Sequence, residues 1–227
     1  MIYPRICLNC ERPLNPERLE AICLGCTAEL SETGYWTMTE NAMTDRLRAA
    51  LAPSPTPAHP RAAALYFFRQ GGVSQQLVHA LKYYHRPEIG RTLGEELGRR
   101  MRAGGLYADL DAIVPVPIHP DRLRERGYNQ AALVAEGLAA ALDLPVYGDA
   151  LRRMRFTSSQ TRLSEQERFA NVQRNFALGS VDLAGRSVLL VDDVLTTGAT
   201  LAVCSGLLLE GYTDLRLSVA TLMVTER

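Results

Sequence analysis

The sequence predicts an α/β protein built on a mostly parallel sheet, with a small four-cysteine zinc module at its N-terminal end. Three observations carry that expectation. Strand-like and helix-like segments alternate from about residue 61 onward, the rhythm of a parallel sheet with right-handed crossovers. One of the strands, SVLLVDD from Ser187 to Asp193, begins as the uninterrupted apolar run of a strand buried on both faces. Cys7 and Cys10 form one C-x-x-C hook, and Cys23 and Cys26 form another.

At 227 residues and 47% hydrophobic, the chain can bury one α/β core and still carry an appendage. No apolar run approaches the roughly 18 residues of a membrane span, and no apolar stretch follows a basic N-terminal region. The expectation is therefore no membrane insertion and a cytoplasmic location. Formal net charge is zero, so no global field draws the molecule onto nucleic acid, and any anion affinity must come from a local patch. Among 25 basic side chains Lys82 is the single lysine, against a background in which arginine is otherwise used throughout.

Paired C-x-x-C hooks at this spacing place four thiolates on one tetrahedral metal, which reads as a structural zinc site at Cys7, Cys10, Cys23 and Cys26. Two disulfides are the competing reading, disfavoured in a reducing compartment. Asn9 and Gly25 precede the second cysteine of each hook and suit the positive φ of a tight turn. Cys204 stands alone in a predicted helix and reads as a small buried apolar residue.

After the hooks, Asn41 to Ala52 reads as a helix with Asn41 as N-cap and Met43, Leu47 and Leu51 on one face. The stretch APSPTPAHP, Ala52 to Pro60, holds four prolines and reads as a stiff connector. It divides the chain into 1–51, the zinc module with its following helix, and 61–227, the α/β domain.

Ala63 to Arg69 is a predicted strand, and a Gly-Gly break follows it. Val73 to Tyr84 and Ile89 to Met101 are predicted helices, with apolar residues on one side of each. Ala112 to Ile118 is a strand that must stop near Pro115, because proline cannot donate to a central ladder. A loop, HPDRLRERGYN, leads to a helix beginning near Asn129. LPVYG reads as a further strand. Ser164 and Glu167 form a capping box for a helix running to Asn175. SVLLVDD is the buried strand, TGATLAVCSGLLLE its following helix, and LRLSVATLMV the last strand.

In such a sheet, ligands bind at the carboxyl ends of strands beside helix N-termini. Asp192 and Asp193 sit at that end of the buried strand, and Thr196, Thr197, Gly198, Ala199 and Thr200 form the turn into the helix. Backbone N–H groups and three hydroxyls at the positive end of a helix dipole suit a phosphate monoester. The two carboxylates beside it are natural acceptors for the hydroxyls of a sugar. A second strand-to-helix loop, VPVPIHPDRLRERGYNQ, brings Arg122, Arg124 and Arg126, whose forks match phosphate geometry, and Lys82 is a candidate for a further charge.

VLLVDDVLTTGAT resembles the phosphoribosyl-pyrophosphate (PRPP) signature of the type I phosphoribosyltransferases. The resemblance implies that Asp192 and Asp193 are the catalytic pair holding the ribose hydroxyls, that Thr196 to Thr200 take the 5-phosphate, and that Mg²⁺ arrives with the bound diphosphate. The order of the cysteine hooks, LKYYHRPEIG, VPVPIHPDRLRERGYNQ, QTRLSEQERFANVQRNF and the signature is similar to the ComF family of competence proteins over essentially the whole chain. Between Thr27 and Pro60 no motif supports it. That likeness implies a parallel-sheet type I phosphoribosyltransferase-like domain with an N-terminal zinc module, acting in natural transformation where incoming single-stranded DNA is handled, together with other competence proteins. Arg152, Arg153, Arg155 and Arg162 are the DNA-binding candidates, with Phe156, Tyr83 and Tyr84 able to stack bases.

Two further readings remain open from the residues alone. One is an active nucleobase phosphoribosyltransferase of salvage, which needs a base-reading hood that Arg152 to Phe176, rich in arginine, does not display. The other is a regulator that senses PRPP while its zinc module contacts a protein.

Overall fold

The computed structural model describes residues 6–14, 21–51, 60–154 and 175–226. At its centre lies a four-stranded parallel sheet in the order β1 (Arg61–Phe68), β6 (Arg216–Thr225), β5 (Ser187–Leu195) and β2 (Ala112–Pro115). The expected stop falls at Pro115. Beyond β2, LPVYG contributes less than a full strand: Val146 makes one parallel bridge to Ile113, where Ile113 N–H donates to Pro145 O (2.9 Å) and Tyr147 N–H to Ile113 O (2.8 Å).

Period-two alternation in β5 feeds two cores. Leu189 and Val191 face helices α3 (Val73–Tyr83), α4 (Pro87–Gly104) and α6 (Gln130–Leu142). Val188 and Leu190 face α2 (Ala42–Leu51) and α7 (Ala199–Gly211), where Cys204 is fully buried among apolar neighbours, as expected. Three layers result, with apolar side chains of both helix layers sealing a central sheet. A small antiparallel pair, β3 (Leu151–Arg153) with β4 (Phe176–Leu178), lies apart from the main sheet and was not legible as strands. The capping-box helix from Ser164 and most of the proline-rich connector lie outside the described residues.

Helices α4 and α6 pack unusually close. Gly90, Gly94 and Gly98 recur every fourth residue on α4 and meet Leu133, Val134 and Ala141 of α6, while Gly137 of α6 lies against the backbone of Arg91 and Glu95. A rim ion pair, Arg91 Nε to Glu136 Oε2 at 2.6 Å, spans the same contact.

Residues 119–129, expected as a loop, contain helix α5 (Pro120–Arg126). Its signals are present in the sequence. Pro120 is at the first turn, His119 Nδ1 accepts from Asp121 N–H (3.2 Å), and Gly127 ends the helix at φ 79°.

The N-terminal segment is built onto the sheet. Thr33 N–H donates to Leu65 O (3.2 Å) and Phe67 N–H to Ser31 O (2.9 Å), so residues 31–33 run along the edge of β1. Asn41 caps α2 as expected, its Oδ1 accepting from Met43 N–H (3.0 Å) and Thr44 N–H (3.1 Å), while its Nδ2 donates to Ala62 O (2.9 Å).

Candidate functional site

Strand β5 is held between β6 and β2, so its carboxyl end is fixed from both sides. Asp192 pairs in register with Thr221 there, and the chain turns through Gly198, at φ 84°, into α7. That conformation suits glycine and lets the turn reverse tightly into the helix N-terminus. Asp193 is buried and Asp192 partly so. Asp192 Oδ1 accepts from Asp193 N–H (2.9 Å), which fixes the pair's relative orientation.

A pocket of about 390 Å³ opens over this end of the sheet. Its floor carries Asp192, Asp193, Thr196 and Thr200. The opposite wall comes from α3, α5 and α6 and brings Lys82, Arg122, Arg126, Asn129 and Gln130. Lys82 Nζ lies 2.8 Å from Asp193 Oδ2. Arg126 is buried, donates from Nη1 to Gln130 Oε1 (3.1 Å) and stacks over Tyr83 with its guanidinium 5.2 Å from the ring centre. Among the pocket-lining residues, and leaving aside the Lys82 ion pair, Arg126 Nε, Gln130 Nε2 and Asp193 Oδ2 are buried atoms without a hydrogen-bond partner.

Helix geometry sorts the three arginines of the second loop. Arg122 and Arg126, four apart on α5, share the face toward the pocket. Arg124 falls on the other side, exposed and ion-paired with Asp121, and is not part of the lining. Thr197, Gly198 and Ala199 shape the turn without lining the pocket, Thr197 Oγ1 accepting from Ala199 N–H (3.4 Å).

Of the DNA-binding candidates, Arg152 is exposed on β3, but Arg153 reaches the pocket and stacks on Phe176 at 4.9 Å. Arg155, Arg162 and Phe156 lie outside the described residues. Tyr83 and Tyr84 are both more than half exposed, so they are surface aromatics rather than core.

Burial pushes the Asp192 carboxyl up to about 7, and the charge of Asp193 beside it acts in the same direction. Four cationic side chains and two acids therefore share one cavity. It is suited to a ligand that offers hydroxyls to the acids and a polyanion to the cations.

The four N-terminal cysteines converge. Their sulfurs all lie within 4.8 Å of one another, with Cys7 to Cys26 and Cys10 to Cys23 each at 3.6 Å. Sulfurs on a tetrahedral metal with bonds of about 2.3 Å stand about 3.8 Å apart, so these four could hold one ion. Cys23 N–H donates to Cys7 Sγ (3.3 Å) and Asn9 Nδ2 to Cys26 Sγ (3.3 Å), contacts that favour thiolates. All five cysteines are free of disulfides. The expected positive φ at Asn9 and Gly25 is not found. It falls on Glu11 instead (φ 59°), and Gly25 sits inside helix α1 (Leu24–Ala28), which Cys23 opens.

Sequence reasoning missed Arg46. From α2 it donates to Thr196 O (2.8 Å), Thr225 Oγ1 (3.1 Å) and Thr225 O (2.8 Å), tying the turn after β5 to the end of β6. No local signal marks it, since its partners stand 150 and 179 residues away. Gln130 was visible only as the last residue of a motif, with nothing to distinguish it as a pocket donor.

Residues 129–224 match the phosphoribosyl transferase domain family. The chain is 36% identical over 137 residues to Competence protein F of Haemophilus influenzae, covering 58% of this chain and 60% of that one. It is 36% identical over 137 residues to the DNA utilization protein YhgH of Escherichia coli K12, covering 59% and 60%. Against Competence protein ComFC of Bacillus subtilis it is 35% identical over 101 residues, covering 43% and 38%. The chain thus spans about 60% of the length of the first of these relatives. An adenine phosphoribosyl transferase from Trypanosoma brucei, solved in complex with AMP, pyrophosphate and ribose-5-phosphate, aligns over 83% of each chain at 14% identity. The TM-score of that alignment is 0.35. Among the described residues no helix is long and apolar enough to cross a membrane.

Proposed function

We propose that this chain is a ComF-like competence protein with a phosphoribosyltransferase-like domain, and that it binds PRPP and handles incoming single-stranded DNA during natural transformation. The observation that carries the ligand reading is the single pocket in which a diacid, two threonine hydroxyls and four cations converge at the N-termini of α6 and α7.

In this reading Asp192 and Asp193 accept hydrogen bonds from the ribose 2′ and 3′ hydroxyls. The turn from Thr196 to Thr200 receives the 5-phosphate, where the helix dipole and backbone N–H groups favour an anion. Arg122, Arg126 and Arg153 meet the diphosphate with planar forks, and the spare donors of Arg126 and Gln130 find acceptors on it. Arg124 is left out, because it faces away from the pocket. Mg²⁺ bound with the diphosphate supplies charge neutralisation, held mainly by the ligand's own oxygens. Zinc is the metal that best suits four cysteine sulfurs of this geometry, and the cytoplasm is the compartment that keeps them reduced. Single-stranded DNA would meet the exposed Arg152 together with Arg155 and Arg162, with Arg153 shared between strand and pocket.

Calorimetric titration with PRPP and Mg²⁺ tests the reading. The wild-type chain is expected to bind. Asp192→Asn with Asp193→Asn should weaken binding by at least about 100-fold, since two charge-assisted hydrogen bonds of about 1.5 kcal/mol or more are lost. No binding by the wild type refutes the proposal, and rapid pyrophosphate release with one particular base would make the chain a salvage transferase instead.

A further inference from the structure

We propose that Lys82 is a resident cation for the paired acids: its ammonium occupies, on Asp193, the position that a divalent ion would otherwise take, and gives up Asp193 to the ligand's hydroxyls when a sugar diphosphate enters. This deepens the reading of the pocket given above and rests on it.

The ion pair is close, at 2.8 Å, and largely shielded, with side-chain exposures of 24% for Lys82 and 10% for Asp193. Its attraction is therefore screened less than that of a surface pair. Two adjacent carboxylates at the end of a buried strand form the densest negative charge in the pocket, and a bare Mg²⁺ would be drawn to them. A cation already seated on Asp193 removes that attraction.

The choice of residue points the same way. Every other basic side chain in the sequence is arginine, and the one lysine stands at this contact. A guanidinium would engage a carboxylate through a rigid two-pronged fork, whereas an ammonium is a compact point charge on a flexible stem that can exchange partners. Arg122, Arg126 and Arg153 line the same cavity, so an ammonium leaving Asp193 remains within reach of whatever anion those arginines hold. The ligand's hydroxyls and phosphates thus replace the two halves of one internal ion pair, the hydroxyls on Asp193 and the phosphates on Lys82.

The test uses Mg²⁺ alone, titrated by calorimetry into the ligand-free full chain. Lys82→Met keeps the stem and removes the charge, and Lys82→Arg keeps the charge and changes the head group. Lys82→Met is expected to bind Mg²⁺ at least about tenfold more tightly than wild type, whereas Lys82→Arg should not. Circular dichroism establishes that both variants are folded, and Asp193→Asn in the Lys82→Met background should abolish the gained Mg²⁺ site. The proposal is overturned if Lys82→Met binds Mg²⁺ no better than wild type, or if Lys82→Arg binds it as tightly as Lys82→Met. A second arm measures PRPP with chelator present. Wild type should retain binding, and Lys82→Met should lose at least about tenfold more on removal of Mg²⁺ than wild type does. An equal loss with and without Mg²⁺ makes Lys82 an ordinary phosphate contact and sinks the idea. Failure of wild type to bind PRPP under any condition refutes the reading of the pocket, while the result with Mg²⁺ alone still decides the role of Lys82.

Discussion

Replacing Gly137 by alanine should destabilise the protein through a single methyl group. A Cβ built at this position stands 2.1 Å from Arg91 O and 2.6 Å from Glu95 N, both backbone atoms of α4 that no rotamer change can move. An ordinary contact needs about 3.4 Å, so the helices must part by roughly 1 Å over a stretch where Gly94 and Gly98 make equally close approaches. Overpacking of this kind costs about 1–3 kcal/mol, and the better helix propensity of alanine returns up to about 1 kcal/mol. The net loss is about 1–2 kcal/mol, or roughly 2–8 °C in melting temperature for a chain of this size. Differential scanning calorimetry reads it directly. Gly148→Ala is the control, since its added Cβ meets nothing within 4 Å, and it should change stability by less than about 0.5 kcal/mol. If Gly137→Ala melts at or above the wild-type temperature, the helices are not in backbone contact and the packing argument fails.

Other outcomes are equally open to measurement. Removing the Arg46 side chain frees Thr196 and Thr225 together, so Arg46→Ala should weaken ribose 5-phosphate binding by about tenfold in isothermal titration, with secondary structure unchanged by circular dichroism. Asp192 is raised from 3.8 to about 7 in the folded chain, so the folded state keeps a proton that the unfolded chain releases. This group's contribution to stability therefore falls as pH rises from about 4 to about 7, and urea unfolding of Asp192→Asn should show a flatter pH dependence across that window than wild type. Inductively coupled plasma mass spectrometry should find one zinc per chain. Cys26→Ser should lose the metal and lower the melting temperature, because Cys26 and Cys7 are buried in the core as well as close to each other. Reversing charge at the exposed Arg152 should weaken retardation of a single-stranded oligonucleotide while leaving PRPP binding within about twofold of wild type, whereas Arg153→Glu should impair both.

How far the sequence alone could lead depended on the range of each interaction. The end of β5 was legible because an apolar run, two acids and Gly198 lie within twelve residues and each constrains the next. The convergence of four cysteines was legible because hook spacing encodes it locally. Helix α5 carried its own start and stop signals in His119, Pro120 and Gly127, yet its polar surface gave no apolar periodicity to match, so it read as loop. The Arg46 clamp and the Lys82 to Asp193 contact depend on tertiary placement, for which neighbouring residues carry no signal. Arg153 looked like part of a basic stretch until the β3–β4 pair turned it into the cavity.

The strand order has a practical corollary for anyone cutting the chain into pieces. Of the four-stranded sheet, only β5 and β6 come from the stretch that matches the transferase family, and both strands flanking them, β2 and β1, lie upstream of it. A fragment trimmed to residues 129–224 would keep the β5–β6 pairing but bare the hydrogen-bonding groups along the outer edge of each of these two strands. Such a fragment is a template for self-association rather than a minimal working unit.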